Sequence, residues 1–231
     1  MEGKADLDVL AGTELFRGLS RQALEDIWTQ GFRKQLPTGA ALFLQDDSVT
    51  AIYVLIAGRL RVTQTTAEGA QVILRYLGPG ELAGYTALSG GDSYPGSVTA
   101  VEDCHLLGWS RQGILDLMSR HAQVALNSVT VLGRRYQETQ LRLRELSTEK
   151  VERRIAHTLL RLSVQAGRRT AEGIEIAFPL SRQDLAEMAG TTLHTASRIL
   201  STWEKQGLVL SGRRRIMVRQ PDHLSTIAES G

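Results

Sequence analysis

The sequence predicts an α+β chain in three parts. A jelly-roll-like β roll covers residues 1–120, one long helix covers 121–146, and a small helical domain closed by a hairpin covers 147–231. Three observations carry this. Between Gly31 and about Ser110, short runs of β-branched and aromatic residues alternate with turn signals. From Val129 to Leu146, apolar residues recur every three or four positions. After Ser181, two helical patterns joined through a glycine lead into an extended hairpin.

The first element is helical. TELFRGLSRQALEDIWTQ, residues 13–30, reads as short amphipathic helices, with Leu19-Ser20 as a start signal before Ala23, Leu24 and Ile27. Extended runs then follow at 42–44 (LFL), 52–58 (IYVLIAG), 60–62 (LRV) and 71–77 (QVILRYL), and again at Ser97–Ala100. Pro37-Thr38-Gly39, Asp46-Asp47-Ser48, Glu68-Gly69 and Gly78-Pro79-Gly80 punctuate them. Close spacing of this kind indicates an all-β roll. Gly78-Pro79-Gly80-Glu81-Leu82-Ala83 superficially fits a dinucleotide fingerprint, but no adequate helix follows it, so it reads as a turn.

In the long helix, Val129, Leu132, Tyr136, Thr139, Leu143 and Leu146 form a narrow stripe between charged flanks. Such a stripe calls for a partner helix, and the β roll is too short to cover it all. Val129, Leu132, Tyr136 and Leu143 are therefore the expected seam of a homodimer. Ser147 reads as the break and as the cap of a new helix with apolar Val151, Ile155, Leu159 and Leu162, which Gln165-Ala166-Gly167 ends.

SRQDLAEMAGTTLHTASRILSTWEKQGLV, from Ser181, is the most informative stretch. Ser181 caps a helix with Asp184 in capping-box position, Gly190 makes the corner, and Thr191 or Thr192 caps a second helix. Ala196, Ile199, Leu200 and Trp203 point inward there, leaving Leu193, His194, Ser197 and Arg198 outward. The hairpin LVLSGRRRIMV then places Arg213, Arg214 and Arg215 after a Ser-Gly turn. This is the pattern of a winged helix-turn-helix, whose second helix enters the DNA major groove and whose basic wing meets phosphates. A plain αα-hairpin does not explain the basic residues gathered on one side.

Charge supports the same division. The chain of 231 residues carries 27 Lys and Arg against 25 Asp and Glu, for a net +2. The excess lies late, where Arg198, Lys205, Arg213, Arg214, Arg215 and Arg219 face only Glu204, so an anionic partner is expected there. No apolar run approaches the roughly 18 residues of a membrane span. The start, MEGKADLDVL, lacks a secretory pattern, and a cytoplasmic protein is expected. No Ser/His/Asp arrangement, paired carboxylates or metal-spaced cluster suggests an enzyme.

A β roll, a seam helix and a winged helix-turn-helix together resemble the CRP/FNR family of bacterial transcription regulators. PTGAALFLQDD with IYVLIAGRLRV, and LSRQDLAEMAGTTLHTASRIL, carry the resemblance. It implies a homodimer on double-stranded DNA with two-fold related half-sites, and RNA polymerase as a further partner. It also implies that Ser181, Arg182 and Gln183 meet phosphates and that Arg198 reads guanine through O6 and N7. Thr192, His194 and Ser197 complete the expected surface. His194 stands where the family commonly has Glu, so a different half-site is expected.

The resemblance also frames the loop GYTALSGGDSYPGSVTA, residues 84–100. Cyclic-nucleotide-binding members carry Gly-Glu-Leu and then Arg-Ser there. Here Tyr85 follows Gly84 at the Glu position, and Tyr94-Pro95 replaces Arg-Ser. A buried phosphate without its arginine is an uncompensated charge, so cyclic nucleotide binding in the usual mode is not expected. The single cysteine, Cys104, excludes the multi-cysteine iron–sulfur cluster and stands as a candidate redox switch. Haem remains open, with His105 and His121 as candidate axial ligands, beside an organic effector or none. A β-roll ligand module in a signalling protein that binds no DNA is the rival reading, and Arg198 and the wing count against it.

Overall fold

The computed structural model describes residues 2–229, with side chains from Asp6 onward. Two compact units emerge. One holds the chain up to Ala70 with Leu74–Glu138, and the other holds Gln71–Ile73 with the chain from Thr139 on.

The first unit opens with α1 (Glu2–Gly12), a 3-10 turn at Glu14–Phe16 and α2 (Arg21–Gln30). Strands follow as β1 (Phe32–Leu36), β2 (Ala41–Phe43), β3 (Ala51–Ala57), β4 (Leu60–Thr65), β5 (Gln71–Leu77) and β6 (Leu82–Ala83). Then come α3 (Thr86–Ser89), β7 (Ser97–Ala100), β8 (Cys104–Ser110), α4 (Arg111–Arg120) and α5 (Ala122–Thr148). Two sheets result, in orders β1-β8-β3-β6 and β2-β7-β4-β5.

The alternation along β3 explains why it reads as one apolar run. Ala51, Tyr53 and Leu55 join the core between the sheets, with Leu36, Leu60, Val98 and Leu106. Ile52 and Val54 join the other core with Leu24, Ile27, Leu107, Trp109 and Leu117, where the helices cover the sheet. A strand buried on both faces loses its polar alternation. Ser20 caps α2 as expected, its Oγ accepting from the Ala23 N–H at 3.2 Å. The Trp109 indole N–H donates to the Ile27 carbonyl at 3.0 Å and ties α2 to the sheet.

The second unit contains α6 (Val151–Ala166), β9 (Gly167–Thr170), β10 (Gly173–Ile176), α7 (Arg182–Met188) and α8 (Leu193–Lys205). It continues with β11 (Val209–Gly212), β12 (Arg215–Val218) and α9 (Pro221–Glu229). The hairpin is half of a four-stranded sheet, in order β11-β12-β10-β9. Ile155, Leu159, Leu185, Leu200, Trp203, Ile216 and Leu224 are buried within this unit.

Ser147 does not break the long helix. α5 runs through it to Thr148, and α6 starts after Lys150 with no side-chain cap. A serine in a helix interior costs only about half a kcal/mol relative to alanine. Contacts at the end of α5 outweigh that cost, among them a 2.6 Å ion pair from Glu145 to Arg161. One compact unit ends at Glu138 and the other resumes at Thr139, both within α5.

Candidate nucleic-acid interface and effector cavity

α7 begins with the complete capping box. The Ser181 Oγ accepts from the Asp184 N–H at 3.0 Å, and the Asp184 carboxylate accepts from the Ser181 N–H at 2.8 Å. The turn after α7 depends on Gly190, at φ +60°, where an added Cβ would lie 2.6 Å from Leu146 Cδ2. Two arginines hold its carbonyls. Arg154 donates to Ala189 O at 2.8 Å and to Gly190 O at 3.0 Å, and Arg142 donates to Met188 O. Burial, with Arg161 nearby, pulls the Arg142 pKa down to about 10. Neither arginine stands out in the sequence, because a backbone carbonyl leaves no side-chain pattern to find.

Thr192 is the residue that caps α8, accepting from the Thr195 N–H at 3.2 Å. Ala196, Ile199, Leu200 and Trp203 are buried on its inner face. His194 and Arg198 are exposed, Leu193 is exposed, and Ser197 is half-buried beside them. The expected outer face is therefore present as one surface.

Arg182 is differently engaged from the phosphate contact expected of it. Its guanidinium donates to Ser211 Oγ at 2.6 Å, Glu204 Oε2 at 3.1 Å and Ser201 Oγ at 3.3 Å, tying α7 to α8 and β11. Gln183 is exposed and donates to Glu187 at 2.9 Å. The hairpin turn is also displaced from the expected Ser-Gly. Gly212 pairs with Arg215, so Arg213 and Arg214 form the two-residue tip, with Arg214 at φ +56°. Ser211 instead lies in β11, its N–H donating to Glu204 at 2.9 Å. Arg215 leaves the basic tip and pairs with Glu175, which also accepts from Arg168 at 2.7 Å.

In the first unit Tyr94, expected in place of the family's Arg-Ser, lies inside the roll. It is buried, its hydroxyl donates to Ala51 O at 2.7 Å and accepts from the Ala51 N–H at 3.0 Å. Its ring stacks on Phe43 at 3.7 Å. Gly84, at φ +80°, lies so close that a Cβ would stand 2.8 Å from the same Ala51 carbonyl. A cavity of about 50 Å³ remains, bordered by Gly84, Tyr85, Tyr94 and Pro95 with apolar Phe43, Val62, Leu74 and Val98. Small-molecule sites usually enclose roughly 300 Å³ or more, so this space is small beside them.

The remaining candidates lie elsewhere. His105 is exposed on β8 and His121 ends α4, and neither lines the cavity. Cys104 is buried, its thiol donating to Glu102 O at 3.1 Å and Arg59 O at 3.3 Å. Burial pushes its pKa up, which keeps it a protonated thiol and argues against a redox switch. On α5, Val129, Tyr136 and Leu143 are exposed with Leu126, while Leu132 packs against the core of the first unit. Leu126 was not apparent from the sequence stripe because the pattern is read there from Val129. Among the described residues no helix is long and apolar enough to cross a membrane.

A β roll followed by a helix-turn-helix with a basic wing defines a helix-turn-helix transcription regulator. Comparison with known proteins sharpens this. A cyclic nucleotide-binding domain model matches residues 33–121, and a Crp-like helix-turn-helix domain model matches residues 153–227. The cyclic AMP receptor protein of Thermus thermophilus is 34% identical over 95% of this chain and 98% of its own length. The solved catabolite activator protein of that organism, also 34% identical, superposes with a TM-score of 0.56 over 94% of this chain and 98% of its own. FixK2 from Bradyrhizobium japonicum shares the fold, with a TM-score of 0.76 at 22% identity over 87% of this chain and 98% of that one. The chain belongs to the CRP/FNR family of transcription regulators.

Proposed function

We propose that the protein is a cytoplasmic homodimer that binds double-stranded DNA at two-fold related half-sites and answers to an effector other than a cyclic nucleotide held in the usual mode. The carrying observation is the division of α8. One face is wholly buried, and the other presents Leu193, His194 and Arg198 at the end that enters a major groove. In this reading Arg198 reads guanine, Thr192 and Ser197 flank it, and Arg213 and Arg214 meet phosphate. Ser181 and Gln183, at the start of α7, supply backbone contacts.

Dimerisation is supported by Leu126, Val129, Tyr136 and Leu143, exposed apolar residues spaced by three, seven and seven positions along one helix. RNA polymerase is the further partner a regulator of this class engages. Tyr94 supports the altered effector, since it stands at the position of the family's phosphate-holding arginine and its hydroxyl is spent on the Ala51 backbone. Fluorescence anisotropy on selected duplexes tests the reading, across salt concentrations and with cyclic AMP present or absent. The expected result is sequence-specific, salt-dependent binding that cyclic AMP leaves unchanged. Binding switched on by cyclic AMP would refute the effector part, and salt-independent or absent duplex binding would refute the whole.

A further inference from the structure

The cavity beside Tyr94 contains one charged side chain among its lining residues, Arg75 of β5. Its guanidinium nitrogen Nη1 is buried and makes no hydrogen bond. The Glu138 carboxylate stands 3.8 Å away, and the same carboxylate oxygen is bonded to Arg135 at 2.8 Å. The ring of Tyr85 lies 5.5 Å from the guanidinium carbon, giving a weak aromatic contact in place of an acceptor. Burial, and then the neighbouring Arg135, lower the Arg75 pKa. Glu81 and Glu138 act the other way, but a guanidinium does not lose its proton in a protein, so the site keeps a cation with one nitrogen lacking a hydrogen-bond acceptor.

We propose that the β roll binds a small organic oxyanion, with its carboxylate or phosphate on Arg75 and its apolar body against Phe43, Val62, Leu74 and Val98. Guanidinium matches either group in planar, two-point geometry. Size narrows the class further. About 50 Å³ holds roughly three to five water-sized groups, so the ligand is a short-chain acid or a small phosphate monoester. The proposal rests on reading the β roll as an effector domain, and it asks nothing of the DNA surface.

The test uses the full chain at constant ionic strength, with propionate, methyl phosphate and neutral propionamide as probes. Thermal unfolding and calorimetry follow each titration. The expected result is a saturable rise in Tm with one or both anions and none with propionamide, and the responding anion identifies the group preferred. Arg75→Gln is expected to weaken that binding at least tenfold, and Arg75→Lys to retain part of it. Because the wild-type comparison of propionate with propionamide requires no variant, poor folding of Arg75→Gln leaves the test intact. No saturable effect of either anion, or equal binding by Arg75→Gln, overturns the proposal. DNA affinity measured on the same samples separates the two readings: loss of duplex binding strikes the regulator, and loss of anion binding strikes only Arg75.

Discussion

The Tyr94 hydroxyl stands on the backbone of Ala51, donating to its carbonyl at 2.7 Å and accepting from its N–H at 3.0 Å. One side chain thereby satisfies both polar groups of a buried strand residue, and a third bond reaches the Thr50 N–H at 3.3 Å. The loop before β7 is thus fastened to β3 from inside the roll. A residue that does this is structural first, and it stands where the family's phosphate-holding Arg-Ser pair would be.

Tyr94→Phe keeps the stacking on Phe43 and removes these bonds. Buried amide groups left unpaired cost about 1–3 kcal/mol. Denaturant unfolding should show a loss of that size, with the ring stack alone unable to compensate. An unchanged midpoint would mean that water replaces the hydroxyl without penalty.

Much of this fold is legible in the sequence, and the exceptions share a cause. β3 and the start of β7 announce themselves because burial selects their residue types directly. Ser181, Asp184, Gly190 and Thr192 are legible because capping and left-handed turns act within four residues. Arg182 and Arg215 were not, because their partners Ser211 and Glu175 are distant in the chain and acidic or hydroxyl groups are common everywhere. Ser147 misleads for the same reason, since the contacts that carry α5 past it come from α6. The terminal α9 packs on α6 with Leu224 and Ala228 buried, too short a pattern to distinguish from a loop.

Arg198 and Arg182 should separate recognition from stability. Arg198 is exposed, so Arg198→Ala should leave Tm unchanged. It should also remove about 1–3 kcal/mol of discrimination for the selected base pair, the usual worth of a two-point guanine contact. Arg182→Ala cuts the link from α7 to Glu204 and Ser211 and should lower stability by about 1–3 kcal/mol. Anisotropy and thermal unfolding on both variants distinguish these outcomes, and a destabilised Arg198→Ala would contradict the exposed placement.

The tip of the wing should act without regard to sequence. Arg214→Ala removes one candidate phosphate contact, so affinity should fall by similar factors on specific and random duplexes. The slope of log affinity against log salt should decrease by about one. A loss confined to one sequence would place Arg214 on a base edge instead.

Acid should loosen the sheet that carries the wing. The hydrogen bond from Arg168, reinforced by Arg215, holds the Glu175 carboxyl below its ordinary value. A depressed carboxyl contributes stability that is complete above the unfolded-state pKa of about 4.3 and is lost as pH falls through the folded-state value. Wild-type Tm should therefore fall more steeply than that of Glu175→Gln between about pH 5 and about pH 3. Parallel curves would show that the two arginines do not depend on this charge.

The seam on α5 gives the most direct test of assembly. Tyr136 is 66% exposed and Val129 70%, values that leave large apolar side chains in water unless another surface covers them. Tyr136→Glu places a charge in the centre of that stripe, where two copies would bring like charges together. Sedimentation equilibrium should then report a monomer, while far-ultraviolet circular dichroism stays unchanged because the side chain supports nothing inside its own unit. Duplex affinity should fall by more than tenfold on a two-half-site operator, since linked half-sites lose their shared effective concentration. On a single half-site the variant and the wild type should bind alike. A dimeric Tyr136→Glu would move the interface off this face of the helix.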